Sequence, residues 1–122
     1  MDDRHLIDLR REYLLALHVT AAASARATSA LEASASARSV IRDHVRSGGS
    51  VRDIEHLIET NALRANVSAA LEDLERARHQ SLRLLYQLLH AEGETMTEIG
   101  RSWGISRQLV SRLINEPNTK RP

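Results

Sequence analysis

An all-α fold is what this sequence predicts, and three observations predict it. Glycine occurs only at positions 48, 49, 93, 100 and 104 and proline only at 117 and 122. Two long tracts, residues 4–47 and 50–92, are thus free of both chain breakers. Both tracts are rich in Ala, Leu, Arg and Glu, which lose little on entering a helix. Their apolar residues recur at intervals of three and four rather than two.

As a continuous helix either tract would be ~60 Å long. A chain of 13.6 kDa cannot enclose such rods, so they are expected to pair with each other, with a second copy, or both. In the first tract a three-four stripe passes through Leu14, Leu17, Ala21, Ser24, Thr28, Leu31 and Ala35. Residues 16–37 are mostly Ala, Ser and Thr, and small side chains let two helix backbones approach closely. Leu14, Leu17, Ala21 and Leu31 are therefore expected to form a packing face, within a hairpin or between two chains.

Ser47-Gly48-Gly49-Ser50 separates the tracts. Gly48 suits the left-handed residue that stops a helix, and Ser50 with Asp53 suits a capping box that starts another. Near-equal tracts on either side favour an antiparallel helical hairpin. In the second tract Val67, Leu71, Leu74, Ser81, Leu85 and Leu88 keep the spacing. The interval 61–66 contains two asparagines, and Asn66 could cap a fresh helix; a break there and an uninterrupted helix are both open.

The last third of the chain carries the chemistry. Gly93 ends the long tract, and Thr95 with Glu98 forms a capping-box pattern. Gly104 then closes a short helix, and Ser106 is the N-cap of another, Arg107 to Ile114. Steeply crossed helices need a tiny residue where the second passes the first, which Gly100 supplies, and a residue tolerant of positive φ at the turn, which Gly104 supplies. Ile99, Trp103, Ile105, Val110 and Leu113 fall at the inward positions.

This segment, Met96 to Asn115, resembles the helix-turn-helix of bacterial DNA-binding regulators. GISRQLVSRLI is most similar to the recognition segments of sigma-factor region 4 and of the resolvase/invertase family. The resemblance covers about a sixth of the chain and implies a third, preceding helix, for which Leu82, Leu85, Tyr86, Leu88 and Leu89 are placed. The implied organisation is a helical hairpin for packing or dimerisation over 1–81, a trihelical DNA-binding head over 82–116, and a basic tail over 117–122.

A recognition helix of this kind would project Arg107, Gln108, Ser111 and Arg112 toward base edges. Arginine pairs with guanine O6/N7 and glutamine with adenine N6/N7 in the major groove. Thr95, Arg101, Ser106, Lys120 and Arg121 are the candidates for phosphate contacts. From position 101 onward there are five cations and one anion, although the whole chain carries a formal charge of only +1. The basic character is concentrated where a nucleic-acid reader needs it. One such helix reads few base pairs, so a homodimer on double-stranded DNA is expected.

Other function classes find less support. The chain has no cysteine, which excludes disulfides, thiolate metal sites and a cysteine nucleophile. Its six histidines never stand three or four residues apart, so none pair on adjacent helical turns as metal ligands do. No phosphate loop or Ser/His/Asp arrangement is present, and no enzyme activity, cofactor or metal is expected. The first residues lack the basic and apolar regions of a secretory signal, and Arg26, Glu32 and Arg38 interrupt the least polar stretch. A soluble, cytoplasmic, nucleoid-associated protein without a membrane partner is the expectation. Two alternatives remain open: an architectural DNA-binding dimer with little sequence preference, and a helical adaptor that docks another protein of the transcription machinery.

Overall fold

The computed structural model describes residues 3–116, and all regular structure among them is helical. The order is α1 (Asp3–Arg46), a single 3-10 turn (Val51–Asp53), α2 (Ile54–Leu57), α3 (Thr60–Ala91), α4 (Met96–Trp103) and α5 (Arg107–Asn115). No helix among the described residues is long and apolar enough to cross a membrane. Lys120 and Arg121 lie outside the described residues.

The long helices end close to where the glycines place them. Gly48 has φ +90°, and the N–H groups of Gly48 and Gly49 bond back to the carbonyls of Val45 and His44. The connection that follows departs from the expected capping box. Ser50 Oγ accepts from the N–H of Arg52 at 3.2 Å, and the N–H of Asp53 goes to the Ser50 carbonyl at 3.1 Å. The shorter i+2 span produces a 3-10 turn, with no side-chain cap from Asp53. The break also falls earlier than the 61–66 interval: Ile58 is extended (φ −142°, ψ 139°), and both asparagines lie inside α3. Exposed Asn61 and Asn66 cost a helix only a few tenths of a kcal/mol, roughly, too little to interrupt it.

The chain divides into two compact units, one formed by residues up to Val19 and from Arg78 onward, the other by Thr20–Ala77. In the second unit Ala27, Ala30 and Ala70 are buried together, with Val67 and Leu74 packed against them. Thr20 Oγ1 donates to the carbonyl of Ala77 at 3.2 Å, a side-chain bond to a helix backbone that small neighbours leave within reach. In the first unit Leu9 and Ala16 of α1 pack against Leu84 and Leu88 of α3, with Leu6, Tyr13 and Ala91 alongside.

The packing face of α1 is therefore not the one its leucines suggest. Leu14, at 66 % exposure, and Leu17, Ala21 and Leu31 are all on the surface of the single chain. The buried positions are Leu9, Ala16, Ala23, Ala27 and Ala30, a second three-four series in a different phase. Both series satisfy the helical period, and within the single chain the one with mostly smaller side chains is buried. The alanine face wins because α3 can approach a smooth helix closely enough to exclude water from both.

Enlarging that face should be costly. Ala30→Leu is expected to lower the unfolding free energy by about 1–3 kcal/mol in urea titrations, from overpacking. Ala22→Leu, at an exposed position of the same helix, should change it by no more than about 0.5 kcal/mol.

Candidate nucleic-acid interface

The site is built on the C-terminal turns of α3, which are apolar on nearly every side. Tyr86 of α3, Ile99 of α4 and Val110 of α5 form a buried cluster, with Ile99 and Val110 at 0 % exposure. Leu82, Leu85 and Leu89 of α3, Met96 of α4, Ile105 of the turn, and Leu113 and Ile114 of α5 complete it. Burying the Tyr86 ring raises its hydroxyl pKa above the usual phenol value.

The local sequence determines how α4 starts and stops. Thr95 Oγ1 accepts from the N–H of Glu98 at 3.1 Å, and a Glu98 carboxylate oxygen accepts from the N–H of Thr95 at 2.8 Å. That reciprocal pair is the predicted capping box. The Thr95 backbone N–H, then its hydroxyl, and then the charge of Arg101 hold the Glu98 carboxyl below its ordinary pKa. At the other end Gly104 adopts φ 69°, ψ 31°, the left-handed conformation that a side chain disfavours. The N–H groups of Gly104 and Ile105 both return to the Gly100 carbonyl.

Gly100 has a separate reason to be glycine. A Cβ there would stand 2.7 Å from the Ile105 carbonyl oxygen, because the turn into α5 passes directly over it. Ser106 then caps α5, accepting from the N–H of Leu109 at 3.1 Å. The two helices are thus joined at a contact of backbone on backbone, with Val110 as the buried pivot.

Of the inward positions, Ile99, Gly100 and Val110 are buried, and Ile105 and Leu113 are half-buried. Gly104 is exposed at the turn. Trp103 departs from expectation, at 47 % exposure. It is the last residue of α4, where the chain already turns away. Its ring meets that of Tyr86 with centroids 5.9 Å apart and planes at 70°, a favourable T-shaped contact.

The outward residues of α5 form one polar edge. Arg107, Gln108 and Arg112 are exposed, and Ser111 is half-buried. Thr95, Arg101 and Ser106 are exposed on and beside α4. Among the described residues no ion pair engages Arg107 or Arg112. Both carboxylates in this segment are occupied, Glu98 in the capping box and Glu116 with His79. No group of three His, Asp or Glu among the described residues is placed to hold a metal ion.

Four residues here escaped the sequence reading. Asn115 is exposed one turn beyond Ser111, and its Nδ2 donates to the Ser111 carbonyl at 2.9 Å. From α3, Arg83 donates to the Glu116 carbonyl at 2.9 Å, Gln87 to the Ile114 carbonyl at 2.9 Å, and His79 Nε2 lies 3.1 Å from Glu116 Oε2. For the three on α3 the available signal was their recurrence at i, i+4 and i+8, which places them on one helix face. No family model, curated protein or solved structure matches the chain.

Two measurements check this local account. Gly100→Ala should cost about 1–3 kcal/mol, because a backbone carbonyl must move. Gly104→Ala, with open space but an unfavourable φ, should cost about 1–2 kcal/mol; thermal unfolding distinguishes them from wild type. The lowered Glu98 pKa stabilises the fold above the unfolded carboxyl's range, and that contribution disappears as pH falls through the folded value. Thr95→Ala removes the hydroxyl but not the backbone donor, so NMR titration should show the Glu98 pKa returning part of the way toward the ordinary glutamate value.

Proposed function

We propose that this chain is a sequence-specific DNA-binding protein, a homodimeric transcriptional regulator that lays residues 106–115 in the major groove. In this reading α1 and α3 form an antiparallel hairpin. The end of α3 with α4 and α5 forms a trihelical helix-turn-helix head of the bacterial regulator type.

The observation that carries the reading is the division of α5 into two faces. Val110 is fully buried and Leu113 and Ile114 pack beside it, while Arg107, Gln108 and Arg112 stand exposed together. A nine-residue helix entered from a left-handed glycine turn fits a duplex groove about 12 Å wide. Arg107, Gln108, Ser111 and Arg112 are assigned to bases. Thr95, Arg101 and Ser106, with Lys120 and Arg121 of the tail, are assigned to phosphates. The absence of an internal carboxylate partner for Arg107 and Arg112 among the described residues leaves both available to such acceptors.

Dimerisation supplies the second half-site. The exposed Leu14, Leu17, Ala21 and Leu31 are the proposed pairing residues. The same exposed leucines also favour a second reading, a helical adaptor for another protein. Loss of partner capture without DNA when Leu14, Leu17 and Leu31 are made polar would support that reading instead.

Selection of bound duplexes from a random pool tests the proposal directly. The expected result is an enriched, two-fold related pair of half-sites at a fixed spacing. Enrichment of no sequence despite retention of duplexes would favour architectural binding. Retention of no duplex in dilute buffer would overturn the reading, and a monomer by sedimentation at micromolar concentration would overturn its dimeric form. Arg107→Ala should relax discrimination at one base position, at a cost of about 1–3 kcal/mol for the selected site. Arg101→Ala should weaken binding to every duplex and flatten the dependence on salt.

A further inference from the structure

The C-terminus of α5 lacks a capping turn of its own. Glu116 follows in extended conformation (φ −63°, ψ 132°), consistent with the proline after it in sequence, and no glycine supplies a left-handed cap. A helix ending this way leaves the carbonyls of its last turn without intrahelical donors. Here donors come from α3. Gln87 Nε2 donates to the Ile114 carbonyl at 2.9 Å, and Arg83 Nη1 to the Glu116 carbonyl at 2.9 Å. His79 Nε2 meets both carboxylate oxygens of Glu116, at 3.1 and 3.2 Å.

Positions 79, 83 and 87 are one turn apart along a single face of α3. Arg83 is only 1 % exposed, an unusual cost for a guanidinium unless its donors are used in fixed directions. Gln80 Oε1 accepts from both Nε and Nη2 of Arg83, at 3.3 and 3.1 Å, which orients the fork before it reaches α5. Val110, Leu113 and Ile114 hold α5 through apolar contacts, which have no preferred direction and by themselves define its roll only loosely. Ties at its far end remove that freedom.

We infer that Arg83 and Gln87, with His79 as a third tie, are positioning residues that set the angle at which α5 presents Arg107, Gln108 and Arg112 to the bases. The inference rests on the DNA reading above. None of the three touches DNA in this account; they act through the carbonyls of Ile114 and Glu116 and the carboxylate of Glu116. Their loss should therefore cost sequence discrimination, while phosphate contacts from Arg101 and the turn persist.

The test uses the full chain with Arg83→Met, Gln87→Met and Gln87→Glu, read by amide hydrogen exchange and by affinity for the selected duplex against a random one. Each variant should speed exchange in the last turn of α5 roughly tenfold while the amides of α4 stay protected. The ratio of selected to random affinity should fall roughly tenfold, with random-duplex affinity and its salt slope unchanged. Gln87→Glu keeps the shape but replaces the donor with an acceptor facing a carbonyl. Acidification should protonate the new carboxyl, restore a donor, and recover α5 protection. His5 and Glu12 of α1 and His90 of α3 line the same cleft as Gln87 and Ile114, so Gln87→Met, with the same neighbours and no carboxyl, is the control for that arm.

Unchanged exchange in α5 would overturn the clamp whatever the chain binds. Equal losses on selected and random duplexes, tracking a fall in melting temperature, would reduce it to a stabilising role and overturn the positioning claim. A wild-type chain that retains no duplex, with α5 exchange still responding to the variants, would overturn the DNA reading while leaving the clamp intact as local structure.

Discussion

Everything around α5 depends on the last turns of α3 serving three contacts from one helix. Leu84 and Leu88 meet Leu9 and Ala16 of α1; Tyr86, with Leu82, Leu85 and Leu89, meets α4 and α5; and Arg83 and Gln87 reach the end of α5. A helix covered on so many sides cannot shift to relieve strain at one contact without disturbing another. That is why a helix of only nine residues, far below the length at which an isolated helix is stable in water, can be held as a rigid edge. Its stability comes from the partner and not from its own propensity.

The legible parts of the sequence were those where a local chemical rule has a single solution. Gly104 needs positive φ, Gly100 needs to be small, and Thr95 and Ser106 each cap the helix that follows. These features involve residues within about six positions of one another, so spacing alone determines them. The outward polar edge of α5 follows from the same local geometry once Val110 is known to face inward.

What spacing could not decide was phase and partner. The first long helix carries two three-four series, and both are helical. Which one meets α3 depends on how closely the backbones can approach, and alanine is favoured there although leucine has more surface to bury. Trp103 illustrates the same limit: its position in the pattern faces inward, yet it sits at the helix end, where the chain has already left the core. Arg83 was illegible for a different reason. An arginine among leucines usually extends its charge to water, and the Glu116 carbonyl, 33 positions away, is a partner for this one that sequence spacing does not reveal.

Trp103 is also the chain's single tryptophan, half in solvent and half against Tyr86, at the hinge between the two short helices. Its indole emission consequently comes from one known place. Quenching, anisotropy or a wavelength shift can be attributed to the environment of that bend without any engineered label, and the neighbouring phenol ring provides an energy-transfer donor a few ångströms away. The molecule carries its own optical gauge at the joint where α4 hands the chain to α5.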